Sequence, residues 1–331
     1  MFESDPDSLE DEILKQLKTN DPSLIDFSFL WNDTNISIPF CNALAHNSTL
    51  TSLEVVSSSK IDGDIAMSFS KALRTNSTLA DLTLSGNDIS DSGIIEICQA
   101  IAASNSTITT LTFSGGDNMA VSASAVAQVL TANSTLSTLS FLHCNIEPAG
   151  GSVIANGLVS NTSLTALALM NCGLGSLDGR TMAPALSCCS LIDLSLDQNS
   201  LGDGGTLALA VPLAANSTLT SLSLNDNQIG ANGISPIAWI LSSNHSLKTL
   251  SLSDNEIADA GASALANALG SNSTLRVLEL SRNRITWIGA EGLAHTLASN
   301  AGIRRLSLSG NQIGNVGGNQ FGTFPLSKFN S

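Results

Sequence analysis

The side chains of this chain that could carry proton, metal or covalent chemistry are four histidines, six cysteines and 28 carboxylates. Their spacing assembles none of them into a site. His46, His143, His245 and His295 fall in separate stretches of sequence, and the period described below places His143 and His295 five strand spacings, or roughly 24 Å, apart. No Cys or His spacing matches a metal site, and neither a phosphate-binding loop nor a Gly-x-Ser-x-Gly nucleophile turn is present. Cys188-Cys189 has no sequence signature of a base nearby, and Gly202, Gly204 and Gly205 read as turn residues. No cofactor, metal or catalytic residue is expected. The chemistry that remains is recognition. Lys248, Arg276, Arg282, Arg284, Arg304 and Arg305 gather the basic charge near the C-terminus beside Trp287, and arginine and tryptophan are the residues that dominate interface energy. Arg276 and Arg304 are 28 residues apart, which puts them in the same slot of adjacent repeats, within reach of one acidic partner. Leu142, His143 and Met170 form a second, more apolar group.

The elements that position these residues come from a repeat. The phrase N-S-T-L-x-x-L-x-L-x-x-N-x-I recurs with its first apolar residue at Leu24, Leu50, Leu79, Ile108, Leu136, Leu164, Leu191, Leu219, Leu247, Leu275 and Ile303. Such a period implies stacked strand-plus-helix units that bury their apolar faces against their neighbours. L-x-x-L-x-L puts Leu219, Leu222 and Leu224 on one side of an extended stretch, which predicts a short strand. Asn32, Asn87, Asn199, Asn227, Asn255, Asn283 and Asn311 follow as a ladder that satisfies backbone groups, with Cys144 and Cys172 in the same slot. Ile94, Ile97, Cys98 and Ile101, or Ala262, Leu265, Ala266 and Leu269, then recur at helical spacing. The N-S-T turn is expected to close each helix with its Asn in the left-handed conformation. Trp287 falls in a loop on this scheme. Parallel strands about 4.8 Å apart and helices roughly 8–10 Å apart predict an α/β solenoid of about eleven 28-residue repeats, with parallel strands on the concave face and helices on the convex face of a horseshoe.

Residues 1–20 read as an acidic segment and capping helix, 21–318 as the solenoid, and 319–331 as an irregular tail in which Phe321, Phe324, Leu326 and Phe329 cover the open end. The formal net charge of −15 argues against nucleic acid as a partner. No apolar run is long enough for a membrane span, and Met1-Phe2-Glu3-Ser4-Asp5 is unlike a signal peptide, so a cytoplasmic protein with free thiols is expected. The N-x-[ST] triplets are read as turns of the repeat.

The stretch N-S-T-L-T-S-L-S-L-N-D-N-Q-I-G-A-N-G at 216–233 resembles the leucine-rich repeats of ribonuclease inhibitors. L-K-T-N-D-P-S-L at 17–24, I-S-I-P-F at 36–40 and N-S-T-L-A-D-L-T-L-S-G-N-D-I-S-D-S-G at 76–93 resemble the repeat domain of tropomodulin and leiomodin. These resemblances imply an intracellular scaffold that binds a protein through its concave face and loop tips. The alternatives they leave open are an actin-filament-end binder, an inhibitor of a basic protein, and an activator of a small GTPase. Concave strand positions are mostly small hydroxyls, so the basic C-terminal repeats, Trp287, and the pair Leu30 and Trp31 stand out as the decorated places, whereas Trp239, in a helix slot that faces solvent elsewhere, reads as a half-buried filler between helices.

Overall fold

A strand of three to six residues leaves backbone groups at both ends without partners, and the fold follows from how neighbouring repeats supply them. The computed structural model describes residues 6–31, 34–57, 63–86, 90–103, 107–115, 122–314 and 329–330. They fall in two units, Met1–Leu164 and Thr165–Ser331.

In the first unit, β1 (Asp26–Trp31), β2 (Ser52–Ser57), β3 (Asp81–Ser85), β4 (Thr110–Ser114) and β5 (Thr138–Leu142) pair in sequence order, all parallel. The helices are α1 (Pro6–Thr19), α2 (Thr34–Leu44), α3 (Gly63–Thr75), α4 (Asp91–Ala103), α5 (Ala123–Ala132) and α6 (Glu147–Ser160). Register aligns Leu53, Leu82, Leu111 and Leu139, all buried, and stacks the rings of Phe113 and Phe141 with centroids 5.2 Å apart. α1 buries Ile13 and Leu17, and the Leu17 carbonyl accepts a hydrogen bond from Asn47 Nδ2 at 2.9 Å.

In the second unit, β6 (Ala166–Met170), β7 (Asp193–Ser195), β8 (Ser221–Ser223), β9 (Thr249–Ser251), β10 (Val277–Glu279) and β11 (Arg305–Ser307) alternate with α7 (Ser176–Leu186), α8 (Gly202–Ala215), α9 (Ala231–Ser243), α10 (Ala258–Ser271) and α11 (Trp287–Ser299). These strands are also parallel and in sequence order. A twelfth, β12 (Phe329–Asn330), lies beside β11 with Leu306 opposite Phe329, so these two residues of the tail are strand. Phe321, Phe324 and Leu326 lie outside the described residues. The apolar positions chosen from helical spacing, Ile94 to Ile101 on α4 and Ala262 to Leu269 on α10, are buried as expected.

Two sets of asparagines hold successive repeats together. At the strand exits, Asn255 Nδ2 donates to the carbonyls of Leu224, Leu252 and Ser253, while its Oδ1 accepts from the amides of Asn227 and Ile229 at 3.0 Å each. Asn199, Asn227, Asn283 and Asn311 repeat the arrangement. Cys144 substitutes a thiol that donates to Phe113, Gly115 and Leu142 carbonyls. Asn32 and Asn87 lie outside the described residues. At the helix ends the expectation of a left-handed Asn is corrected: Asn133, Asn161, Asn216, Asn244, Asn272 and Asn300 are extended, as in Asn244 with φ −86 and ψ 135. The reason is their second task. Asn244 Oδ1 accepts from the amides of Ser246 and Leu247, and its Nδ2 donates to the Leu213 and Asn216 carbonyls of the preceding repeat. An extended backbone aims the side chain in that direction.

Left-handed residues appear instead where strands turn into helices, and in the second unit they alternate. The residue that opens each helix segment has φ −116 at Gly175, +56 at Gly202, −90 at Gly230, +52 at Ala258, −93 at Thr286 and +63 at Gly314. Where φ is positive, the amide donates forward, Gly202 to Asn227 O and Ala258 to Asn283 O. Where it is negative, a carboxylate takes over: Asp178 of the same helix accepts from Gly175 N at 2.8 Å, and Asp203 or Asp259 of the preceding repeat serves Gly230 and Thr286. Asp203 Oδ1 accepts from Gly230 N at 2.8 Å, and Asp259 accepts from Thr286 N, Thr286 Oγ1 and Gly289 N. A Cβ on Gly233 would meet Asp203 Oδ1 at 2.5 Å, and one on Gly289 would meet Asp259 Oδ1 at 2.7 Å, which is why glycine occupies both positions.

All six cysteines are free, and five are buried. Burial pushes the thiols of Cys41 and Cys98 up to about 12 and that of Cys144 up to about 11, and it raises that of Cys189.

Three outcomes are expected. Asn255→Ala removes five buried hydrogen bonds and orphans backbone groups, and should cost about 3 kcal/mol or more in chemical denaturation. Desolvation tends to raise the pKa of Asp259, but the hydrogen bonds from Thr286 and Gly289 outweigh it and hold the carboxyl below its ordinary value. Its contribution is therefore present above the unfolded carboxylate pKa of about 3.9 and lost as pH falls through the lower folded value. Hydrogen exchange at Thr286 and Gly289 should accelerate in Asp259→Ala at neutral pH, and equal rates in the two chains would exclude the bracket. A disulfide-exchange reagent should titrate one thiol, Cys188, in the folded chain and six after denaturation.

Candidate protein-interaction surface

Along the outward side of the strands the central side chains are Ser28, Glu54, Thr83, Thr112 and Ser140 in the first unit and Ala168, Ser195, Ser223, Ser251, Glu279 and Ser307 in the second. Alternation within a strand turns the leucines to the core and leaves these small groups on the surface. Several of the acids among them are spent locally. Glu54 accepts from Ser28 and Ser85, and Asp197, just past β7, accepts from Ser223 Oγ at 2.6 Å and Asn225 N at 2.7 Å. The face is polar, and its acids are largely taken up by neighbouring side chains and amides. Anchoring groups must come from its edges.

The six C-terminal cations do not form one cluster. Lys248, Arg276 and Arg304 lie immediately ahead of β9, β10 and β11, on the edge where the strands begin. Arg282 and Arg284 lie beyond β10, on the edge where the strands end, and the strand and the turn after it separate Arg276 from Arg282 by at most about 20 Å of chain. Sequence proximity joined them, whereas the strand carries them apart. On the trailing edge each arginine has a carboxylate from the repeat before it: Arg282 with Asp254, and Arg284 with Glu256 at 2.8 Å. The hydrogen bond and charge of Asp254 raise the Arg282 pKa further. Arg305, first residue of β11, pairs with Glu279. All three pairs are largely exposed, a setting in which ion pairs contribute little to stability. Arg276 Nη1 instead donates to the carbonyls of Ser273, Leu275 and Gly302 at 2.7, 3.3 and 3.0 Å, because the preceding turn offers carbonyls and no carboxylate.

Trp287 is not in a loop. It is the first residue of α11, in the slot where α8 and α10 carry Asp203 and Asp259, and it is 43% exposed beside Ile288 at 53%. Thr286 caps the helix by accepting from Ile288 N. Trp287 and Ile288 thus form an apolar tip on the trailing edge, adjacent in sequence to Arg284. The sequence did not single out Ile288, although its counterparts Asn232 and Ala260 mark it as unusual for the slot.

The second group is divided between the units. Leu142 and His143 close β5 in the first, His143 with φ 57 and exposed, whereas Met170 closes β6 in the second and is half-buried. Leu30 and Trp31 end β1, and their side chains lie outside the described residues. Trp239 is exposed on α9 rather than half-buried between helices, because its slot faces solvent, and Val211, its counterpart on α8, is exposed with Leu207. Those two carry no signal in the sequence beyond an apolar residue at a polar slot. His295 is exposed on α11, and His46 and His245 are exposed at helix-ending turns. Among the described residues, no group of three His, Cys, Asp or Glu could hold a metal ion, and no helix is long and apolar enough to cross a membrane.

Comparisons with known proteins agree with this architecture. Among solved structures, a chain of the Rad7 and Elc1 complex from yeast is 18% identical, with a TM-score of 0.59 over 90% of this chain and 73% of that one. A Bacteroides fragilis protein is 14% identical, with a TM-score of 0.51 over 75% and 70%. Leiomodin-1 actin-binding site 2 is 23% identical over 45% of this chain and 88% of that one, with a TM-score of 0.36. No curated protein matches the sequence significantly. The leucine-rich repeat profile matches residues 75–98, 132–155, 160–183, 215–238, 243–266, 271–294 and 299–320, half of the chain. With strands and helices alternating at the period of those matches, the chain belongs to the leucine-rich repeat family.

Proposed function

We propose that the chain is a protein-interaction module that works by binding rather than catalysis, and that a protein partner docks on the strand face and edges of the second unit. The observation that carries this reading is the contrast within two repeated slots. The position ahead of each strand, elsewhere a hydroxyl residue, alanine or isoleucine, holds Lys248, Arg276 and Arg304 in the last repeats, and the helix-opening position, aspartate or alanine in the three repeats before, holds Trp287. Substitutions that a repeat does not need for its own packing are the ones available for recognition. The chemically versatile side chains point the same way, since the histidines are dispersed and five of the six thiols are buried.

Arg305 is the member of the set whose charge is already matched, by Glu279, and its role is to hold that strand position while Arg304 and Trp287 contact the partner. Cross-linking in a lysate of the source cells, followed by mass spectrometry, tests the reading. A stoichiometric partner should be recovered with the natural chain and lost, by about tenfold or more, with Arg304→Glu, Arg305→Glu and with Trp287→Ala. The same recovery with all three chains would remove the second-unit surface from the reading.

A further inference from the structure

The edge ahead of the strands carries a feature that the general reading does not use. Thr165, Ile192, Thr220, Lys248, Arg276 and Arg304 are stacked directly on one another by consecutive backbone hydrogen bonds. Ile192 N donates to Thr165 O at 2.7 Å, Thr220 N to Ile192 O at 2.9 Å, and Lys248 N, Arg276 N and Arg304 N each to the residue before at 2.8 Å. Neighbouring side chains in such a column are about 4.8 Å apart.

Hydroxyl residues in this column bond the carbonyl of the preceding repeat. Thr220 Oγ1 donates to Ile192 O, and in the first unit Thr51 and Ser137 do the same to Ile25 and Thr109. The last three places abandon that bond for three like charges in a row, an arrangement that disfavours the folded sheet. The turns Ser243–Lys248, Ser271–Arg276 and Ser299–Arg304 contain no acid. Among the described residues, Lys248 and Arg304 have no hydrogen-bonding or ionic side-chain partner, and Arg276 is fixed by neutral carbonyls through Nη1 alone, leaving Nε and Nη2 uncommitted. Arg282, Arg284 and Arg305 differ in that each already has its carboxylate. Beside Lys248 an open groove of about 450 Å³ continues the edge, lined by Ala214, Ala215 and Thr220 and by Ser217, Ser243 and His245, whose side chains carry hydrogen-bond donors.

We infer that the Lys248–Arg276–Arg304 column and the hydroxyl-lined groove beside it form a docking site for an acidic polypeptide segment with carboxylates roughly 5 Å apart. The inference rests on the reading of the chain as an interaction module and names the chemistry of its partner. A short segment fits better than an extended polyanion, because the column is one residue wide on a chain of formal charge −15, which repels a broad anionic surface.

Binding of a fluorescein-labelled oligoglutamate to the full chain, followed by anisotropy, tests it. Lys248→Thr, Arg304→Thr restores the residue type usual in the column, so the variant should fold with an unchanged or higher midpoint and bind the peptide about tenfold or more weakly. The natural affinity should fall as salt rises. Lys71→Gln, Arg180→Gln removes the same charge from exposed helix positions and should stay within about twofold of the natural chain. Absence of peptide binding at low salt, or equal losses in the two variants, overturns the site. Preference for phosphatidylserine vesicles or single-stranded DNA over oligoglutamate overturns it as well. If the cross-linked partner is kept by the threonine variant, the acidic-segment site falls while the interaction module stands. If the natural chain captures no partner yet still binds oligoglutamate through the column, the module reading is the one that fails.

Discussion

Every repeat depends on hydrogen bonds that it cannot complete alone. The strands of the second unit are mostly three residues long, too short for their ladder bonds to account for the chain leaving and rejoining the sheet. Asparagines from the next copy close the exits, asparagines at the helix ends reach back to the previous copy, and a buried amide side chain serves both as donor and as acceptor. Leaving such groups unpaired costs far more than pairing them gains. The apolar core is correspondingly permissive, mixing Leu, Ile, Ala, Phe and Cys, whereas the polar slots admit Asn and, at Cys144 and Cys172, a thiol. Stability in this fold is a property of neighbours.

Most of the architecture was legible in the sequence because one period governs it. The strand leucines, the helix faces and the asparagine ladder all recur at fixed offsets, and those offsets placed Asn199, Asn227, Asn255, Asn283 and Asn311 correctly. Two things were not legible. The helix-end asparagines were expected to be left-handed because helix ends commonly are, yet N-S-T also encodes a side chain that must cross to the adjacent repeat, and that need selects an extended backbone. The alternation of loop conformation is hidden because Gly202 and Gly230 are the same residue in opposite conformations. A trace of it was available in the aspartates, which occur at Asp203 and Asp259 but not at Ala231 or Trp287.

The candidate surface was readable in its composition and not in its arrangement. Six cations within 58 residues look like one patch when written in a line. The strand sorts them onto opposite edges and supplies three with carboxylates from neighbouring repeats. What distinguishes Lys248, Arg276 and Arg304 is then their setting: a column of like charge beside three arginines that already have carboxylates. Trp287 occupies the helix-opening slot of a repeat type that needs no bracketing aspartate there, as Ala231 also shows, and is exposed.

The alternating loops also fix the unit in which such an array can change length. Excising one repeat from the second unit would set two loops of the same hand side by side, so that an aspartate would face an amide already donating forward, or an extended loop would meet no aspartate at all. Removing or duplicating two consecutive repeats preserves both partners. From Gly202 to Thr286 the unit that keeps every loop matched is therefore the pair of repeats, about 56 residues, even though the sequence repeats at half that distance.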